Sequence, residues 1–347
     1  MSKTKKGDLN MKHSNKIVGA MLSLLTVIFL AGCGGGESSQ TNTSDGEGVT
    51  QDDIVHDYKI DLLKDETYYF PANTPNDDKV DTQPLKQFDF IFVGHNPNTV
   101  QEGQINTDVI PGTYMHMLMY IGKDSNGLAY GIEMNIDADP ELEMNMDGTI
   151  HLDGQLNVYC LGSDYNKECP KDEYVWGLES YDYMWAKRLT PQLHDNLTEH
   201  KNDLMAQIKN DLETKFPFQL PFNLDFFKYD IKLINDGRQG GADCAAYMTL
   251  LLEEVAGVCM DDIHMDAEAM EDYYINDPRG QEVHIPAEDN PYSDEDAYIS
   301  DLLDGGPFSI VDNPPRQTIC PDGRKAVGIP TPNKIFNSPS MVEIAVE

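Results

Sequence analysis

Dense apolar segments separated by turn residues run through the first half of this chain. Residues 88–93 read Phe-Asp-Phe-Ile-Phe-Val, and such aromatic and β-branched runs are typical of strands. Residues 114–121 form a second apolar run, and an Asp-Ser-Asn-Gly turn separates it from a third at 128–134. With a further candidate at 155–161, the pattern predicts a meander of strands.

Helical patterns follow in the second half. Residues 181–189 predict a short helix, and Thr190-Pro191 is typical of the cap and first position of a longer one. The strongest prediction is 243–256, which opens on an N-cap aspartate, contains no Gly or Pro, and stops at Gly257. Strands followed by helices predict the α+β fold class.

The first residues have the layout of an export signal. Five lysines precede an apolar run at 17–30, which is shorter than the ~20 residues of a membrane-spanning helix. The run ends at Leu30-Ala31-Gly32-Cys33, which resembles the lipobox of bacterial lipoproteins. The resemblance implies that a signal peptide, 1–32, is removed and that Cys33 receives a lipid. An uncleaved anchor helix is the alternative.

The residues after the lipobox extend this interpretation. A polar stretch rich in glycine and serine follows Cys33, so we expect 33–52 to be a flexible tether. Gly34 in place of aspartate resembles the sorting pattern that favours the outer membrane and its periplasmic side. The expected location is therefore the cell envelope, with the membrane as a partner through the lipid.

The charge of the chain argues against nucleic acid as a partner. Sixty acidic residues stand against 25 basic ones, which gives a formal net charge of −35. Phosphate backbones are bound by positive surfaces, so no nucleic-acid binding is expected. No His-Glu-x-x-His or Cys-x-x-Cys spacing occurs either, and neither a metal nor a cofactor is expected.

Five cysteines remain besides Cys33, and export to an oxidising compartment would allow disulfides among them. The sequence does not determine the pairing. Our hypothesis joins Cys160 to Cys169 across a short polar stretch and Cys259 to Cys320. Cys244 is then the cysteine left over.

A histidine in an apolar strand is the first candidate for chemistry. His116 lies inside the predicted strand 114–121, and Glu133 lies on the next predicted strand within plausible cross-strand reach. A carboxylate there would fix the imidazole tautomer and stabilise its cation. A histidine that is merely a satisfied core residue is the alternative.

Cys244 is the second candidate. Glycines lead into the predicted helix 243–256, whose first residue is this cysteine. The N–H groups and the positive dipole end of a helix N-terminus favour a thiolate and can supply part of an oxyanion hole. A buried structural cysteine is the alternative.

Taken together, residues 85–258 resemble permuted papain-like hydrolases of the NlpC/P60 superfamily, in the YiiX/YebB-like group. In that group a strand of the form Gly-x-x-x-His, five apolar residues and Gly carries the general base, here His116 within residues 112–122. It precedes the helix that opens with the nucleophile, here Cys244. Asp89 matches the acidic position of the opening "Gly-Asp-hydrophobic" strand, although Phe88 replaces the glycine. Ala245 stands where many relatives have serine.

The resemblance implies an antiparallel sheet packed on helices and an acyl-enzyme mechanism. Cys244 would be the nucleophile, His116 the general base and Glu133 the residue that orients it. The expected domain covers 53–260 with an insertion at 137–212, and an acidic, loop-rich extension follows at 261–347. The substrate would be a cell-wall peptide or an acylated small molecule.

Two other functions stay open at this point. A non-catalytic envelope lipoprotein could use the same fold to bind a ligand or partner. An acyltransferase would pass the thioester to an amine or alcohol in place of water. A disulfide at Cys244 would remove the nucleophile and so exclude both the hydrolase and the acyltransferase.

Overall fold

The computed structural model describes most of the region after residue 60. The described residues are 60–73, 81–94, 112–136, 142–144, 150–152, 154–164, 169, 181–219, 222–225, 230–233, 241–276, 309–311, 316–317, 320, 325–326 and 328–346. The predicted signal peptide, the lipidation site Cys33 and the tether lie outside them.

The centre of the molecule is a six-stranded antiparallel sheet. From one edge to the other, its strands are Met341–Glu343 (β17), Tyr183–Leu189 (β9), Phe90–Gly94 (β3), His116–Lys123 (β4), Ala129–Ile136 (β5) and Gly154–Gly162 (β8). The strands predicted near residues 88, 114, 128 and 155 are therefore present, with ends displaced by one or two residues. This sheet and its helices confirm the α+β class.

Eleven further strands complete the described part of the chain. They are Tyr68–Ala72 (β1), Asp81–Leu85 (β2), Leu142–Met144 (β6), Ile150–Leu152 (β7), Phe222–Asp225 (β10), Asp230–Leu233 (β11), His264–Met265 (β12), Ser309–Val311 (β13), Arg316–Gln317 (β14), Lys325–Ala326 (β15) and Ile329–Pro330 (β16). They form small sheets, namely β1-β2, β6-β7, β10-β11-β13, β12-β16 and β14-β15.

The α-helices in the described residues are Pro191–Glu199 (α1), Lys201–Glu213 (α2), Cys244–Ala256 (α3), Ala267–Asn276 (α4) and Pro332–Asn337 (α5). One 3₁₀ turn, Ile60–Leu62, precedes the first strand. The helix α3 has the predicted ends, with Asp243 as its N-cap and Gly257 in the left-handed conformation as its C-cap. The single helix expected after Thr190 is divided in two at His200.

The central sheet is buried on both faces, because successive side chains along its strands point to opposite faces and those on both faces are apolar. Phe90, Phe92 and Met119 belong to the core shared with α1, α2 and α3. Ile91 and Leu118 belong to a second core shared with the hairpin β1-β2 on the opposite face. This two-residue alternation is what the pleat of a strand imposes, and it fixes which side chains meet the helices.

The prediction of a helix at residues 181–189 is wrong. This segment is β9, which pairs with β3 on one side and β17 on the other. The expected insertion at 137–212 contributes β8 and β9 to the central sheet, and the expected extension at 261–347 contributes β17. The central sheet therefore includes strands from both of these sequence ranges.

Two disulfides are present, Cys160–Cys169 and Cys259–Cys320. Both agree with the hypothesis drawn from the sequence, and Cys244 belongs to neither. In the part of the chain that the structure describes, no helix has the length and apolar character to cross a membrane.

Candidate active site

The centre of the candidate site is a buried contact between neighbouring strands. His116 is the first residue of β4, and Glu133 lies in the middle of β5. Imidazole Nε2 and carboxylate Oε2 are 2.7 Å apart, a short hydrogen bond between fully buried side chains. The cross-strand contact expected from the sequence is therefore present.

A second polar side chain holds the carboxylate from the same strand. Asn135 donates its side-chain N–H to Oε1 of Glu133 at 3.0 Å, so each carboxylate oxygen has a different partner. Asn135 was not among the site residues predicted from the sequence. The signal was available, because residues two apart on a strand share a face.

Cys244 reaches this contact from the helical layer. It opens α3, which packs on both β4 and β5, and its side chain is buried. The N-cap side chain fixes where the helix begins, since Asp243 Oδ1 accepts a hydrogen bond from the N–H of Ala246 at 2.7 Å. The sulfur is thus placed in the first turn of a rigid helix.

Cys244 and Glu133 both act on the pKa of His116. Burial alone would lower this pKa, but the negative charges of Cys244 and Glu133, together with the hydrogen bond to Glu133, raise it to about 10. Since Glu133 occupies Nε2, the nitrogen left for the sulfur is Nδ1. Nδ1 is itself buried and has no hydrogen-bond partner among the described residues.

This arrangement can support an ion pair of imidazolium and thiolate. The carboxylate stabilises the cation and fixes the ring, and the cation stabilises the anionic sulfur. A thiolate at a helix N-terminus is a nucleophile, and the protonated imidazole is the acid that a leaving group needs. The three residues singled out from the sequence are thus brought together in one place.

Asp89, the acidic residue of the opening strand, lies elsewhere. Asp89 comes just before the first residue of β3. Val93, which pairs with His116, lies near the opposite end of that strand. Arg188 binds it with two hydrogen bonds, from Nε at 2.8 Å and from Nη2 at 2.6 Å. The Nε2 atom of His194 is 3.9 Å away. Asp89 is therefore a structural anchor for β3 and β9 and makes no contact with the candidate site.

Access to the sulfur is restricted. His116, Glu133, Cys244 and Asp243 are each at most 5 % exposed. Nearby, Tyr114 stacks on Phe336 of α5 with ring centroids 4.1 Å apart, and Asn333 accepts a hydrogen bond from the N–H of Thr113. The short helix α5 therefore holds the segment that leads into His116.

One group of potential metal ligands occurs among the described residues. Glu253, Cys259 and Cys320 lie close together, but both sulfurs are in the same disulfide. A disulfide sulfur has lost the negative charge that makes cysteine a metal ligand, so this group does not fit a metal.

Comparisons of the chain with models of protein families, with characterised proteins and with solved structures found no match.

Proposed function

We propose that this protein is a membrane-anchored thiol hydrolase that cleaves amide or ester bonds through an acyl-enzyme on Cys244. The observation that carries the proposal is the buried His116–Glu133 hydrogen bond of 2.7 Å beside a cysteine that raises the pKa of that histidine. Lipid on Cys33 would provide the anchor. Peptides or acylated small molecules of the cell envelope would be the substrates.

The proposed reaction needs only these side chains and water. His116 takes the thiol proton, and the sulfur of Cys244 attacks the carbonyl carbon of the substrate. When the tetrahedral intermediate collapses, the imidazolium returns the proton to the departing amine or alcohol. His116 then deprotonates water, which attacks the thioester and releases the acid and the free thiol.

One backbone feature supports the resemblance to permuted papain-like NlpC/P60 hydrolases. Phe88 stands where that family has glycine, and its φ is +71°. Residues with a Cβ rarely adopt this conformation, at a cost of ~1–2 kcal/mol, whereas glycine adopts it freely. The backbone at this position thus has the shape that a glycine motif would require.

The burial of the site favours one rival, a non-catalytic envelope lipoprotein on the same fold. Cys244 is 1 % exposed, and a substrate could reach it only after a local opening. In this rival the three side chains form a polar contact inside the core and no acyl-enzyme. Chemistry at the sulfur separates the two functions.

The first test is alkylation of Cys244 in the purified, non-reduced soluble domain. Iodoacetamide labelling from about pH 5 to about pH 9, mapped by mass spectrometry, should modify this residue selectively below neutral pH. His116→Ala should slow labelling about 100-fold, because it removes the partner cation. The matched control is His194→Ala, a half-buried histidine at the Asp89 end of β3, which should label as the wild type does.

The second test looks for the acyl-enzyme itself. Incubation with p-nitrophenyl acetate should add an acetyl group to Cys244, visible by intact mass, and release nitrophenol continuously as the thioester is hydrolysed. If Cys244 carries no acetyl group and is labelled equally in wild type and His116→Ala, the hydrolase proposal fails and the binding lipoprotein is favoured. A stable thioester released only by an added amine would indicate an acyltransferase.

A further inference from the structure

The proposed reaction leaves one polar group of the site without a role, the side-chain amide of Asn135. This half-buried residue lies two positions after Glu133 on β5 and donates an N–H to Oε1 of that carboxylate at 3.0 Å. Glu133 is 1 % exposed and has therefore lost most of its water. A buried carboxylate keeps its charge only where hydrogen bonds replace that water, and Asn135 supplies one such bond.

The bond from Asn135 also fixes the direction of the carboxylate. Oε2 of Glu133 contacts Nε2 of His116 at 2.7 Å, while Oε1 accepts from Asn135. The terminal torsion of a glutamate is broad, so a carboxylate held through one oxygen alone can rotate away from its partner. Bonds to both oxygens, one from β4 and one from β5, restrict that rotation.

The charge of Glu133 decides which nitrogen of His116 carries the hydrogen. An ionised carboxylate only accepts, so Nε2 donates to it and Nδ1 keeps the lone pair that can take the proton of Cys244. A carboxyl protonated at Oε2 would donate to Nε2, and the neutral ring would then carry its hydrogen on Nδ1. That tautomer cannot act as a base toward the sulfur. The hydrogen bond from Asn135 favours the ionised carboxylate and therefore the productive tautomer.

We propose that Asn135 is a positioning residue of the thiol chemistry, whose amide keeps the carboxylate of Glu133 ionised and directed at Nε2 of His116. This inference rests on the proposed function and adds a fourth residue to the same site. Asn135 acts on Cys244 through Glu133 and His116.

The first readout is the Nε2–H proton of His116, followed by nuclear magnetic resonance with isotope-labelled histidine. Every protein in this series carries Cys244→Ala, so the signal reports the bond to Glu133 and not the ionisation of the sulfur. A short bond to a carboxylate moves this proton downfield and slows its exchange with water. Asn135→Leu keeps the branched shape of asparagine without its donor, and the signal should move upfield and exchange about fivefold faster.

The second readout is the alkylation rate of Cys244 in proteins that retain this cysteine. Asn135→Leu should slow alkylation at neutral pH about fivefold, because Glu133 remains but is held less firmly. Asn135→Gln keeps an amide donor and should lie closer to the wild type than Asn135→Leu in both readouts. Thermal unfolding verifies that each variant is folded.

Gln207→Leu is the matched control. The amide of Gln207 donates to Oδ1 of Asp211 at 2.8 Å, and this buried carboxylate also accepts from the hydroxyl of Tyr247 on α3 at 2.9 Å. The variant therefore removes an amide–carboxylate bond that supports α3 outside the candidate site. It should leave both readouts unchanged.

The two proposals can fail separately. If folded Asn135→Leu keeps the wild-type Nε2–H signal, or if Asn135→Leu and Asn135→Gln change it equally, the amide does not position Glu133 and the inference is overturned. If Asn135→Leu moves the signal but Cys244 of the wild type is not labelled selectively, the contact between Asn135 and Glu133 has its proposed effect and the hydrolase proposal falls.

Discussion

The pKa values of two histidines, the half-buried His194 and the buried His116, are shifted in opposite directions by their neighbours. Burial lowers the pKa of His194. The negative charge of Asp89 raises this pKa, but the positive charge of Arg188 lowers it again, and the net shift is downward. Burial also acts on His116, but the negative charges of Cys244 and Glu133 act on that ring, and the pKa rises. Only the second histidine is arranged to hold a proton beside a nucleophile.

The role of Glu133 can be tested at this residue scale. Glu133→Gln keeps an oxygen that can accept the N–H of His116 but removes the charge that raises its pKa. We expect alkylation of Cys244 at neutral pH to slow about tenfold, the effect of one pKa unit. Glu253→Gln, a buried glutamate near the other end of α3, is the matched control and should not change the rate.

The raised pKa of Asp243 makes a separate prediction about stability. A carboxyl whose pKa rises from 3.8 to about 6 on folding contributes stability below pH 3.8 that is lost as the pH rises through 6. Asp243→Asn keeps the cap and avoids this loss. Its unfolding free energy should exceed that of the wild type by up to ~3 kcal/mol at pH 8 and match it near pH 4.

Urea denaturation at the two pH values measures the difference. Equal stability of the two proteins at both values would show that ionised Asp243 is not destabilising in the folded state. If the variant is instead less stable than the wild type at pH 8, the negative charge of Asp243 stabilises the N-terminus of α3 through the helix dipole.

At the scale of elements, α3 is the structure on which the site depends. Its end is fixed by Gly257, which has φ +61° and donates its N–H to Glu253. A Cβ at this position would have no atom within 4 Å, so the cost of Gly257→Ala is conformational only. We expect a loss of about 1 kcal/mol in urea denaturation and an unchanged labelling rate of Cys244. If Gly257→Ala changes the rate at which Cys244 is alkylated, the conformation at the C-terminus of α3 affects the cysteine at its N-terminus.

Local patterns predicted the elements that depend on local chemistry. The cap and stop residues of α3 and the turn at 124–127 are short-range signals, and both elements are present. The segment 181–189 was mistaken for a helix because its apolar residues fit either period. It is a strand because β3 and β17 offer hydrogen-bonding edges on both sides, and the local sequence contains no trace of those partners.

The candidate site shows the same division. The reach from His116 to Glu133 followed from one hairpin, because consecutive strands of a meander lie side by side. The exact register did not, since it shifts between Tyr120 and Gly122. The position of Asp243 beside that pair did not, because it depends on how α3 packs across the sheet. Asp89 matched a motif in the sequence, but its carboxylate binds Arg188 and lies away from the candidate site.

At the scale of the whole molecule, the two disulfides should differ in their contribution. Cys259–Cys320 closes a sequence separation of 61 residues, whereas Cys160–Cys169 closes one of 9. Loop entropy gives roughly 4 kcal/mol for the longer loop and roughly 2.5 kcal/mol for the shorter one. Paired Cys→Ser variants in urea denaturation should show the larger loss for Cys259 and Cys320. The opposite order would show that native contacts, and not the unfolded chain, dominate.

The pairing of β9 with β17 has a consequence for how the protein is made. Leu189 lies opposite Met341, so the edge of β9 stays uncovered until a segment far downstream in the sequence has been synthesised. Unpaired strand edges are templates for association with other chains, and contacts this distant in sequence form slowly. A chain in which β17 has not yet paired would therefore be prone to associate with other chains through the edge of β9.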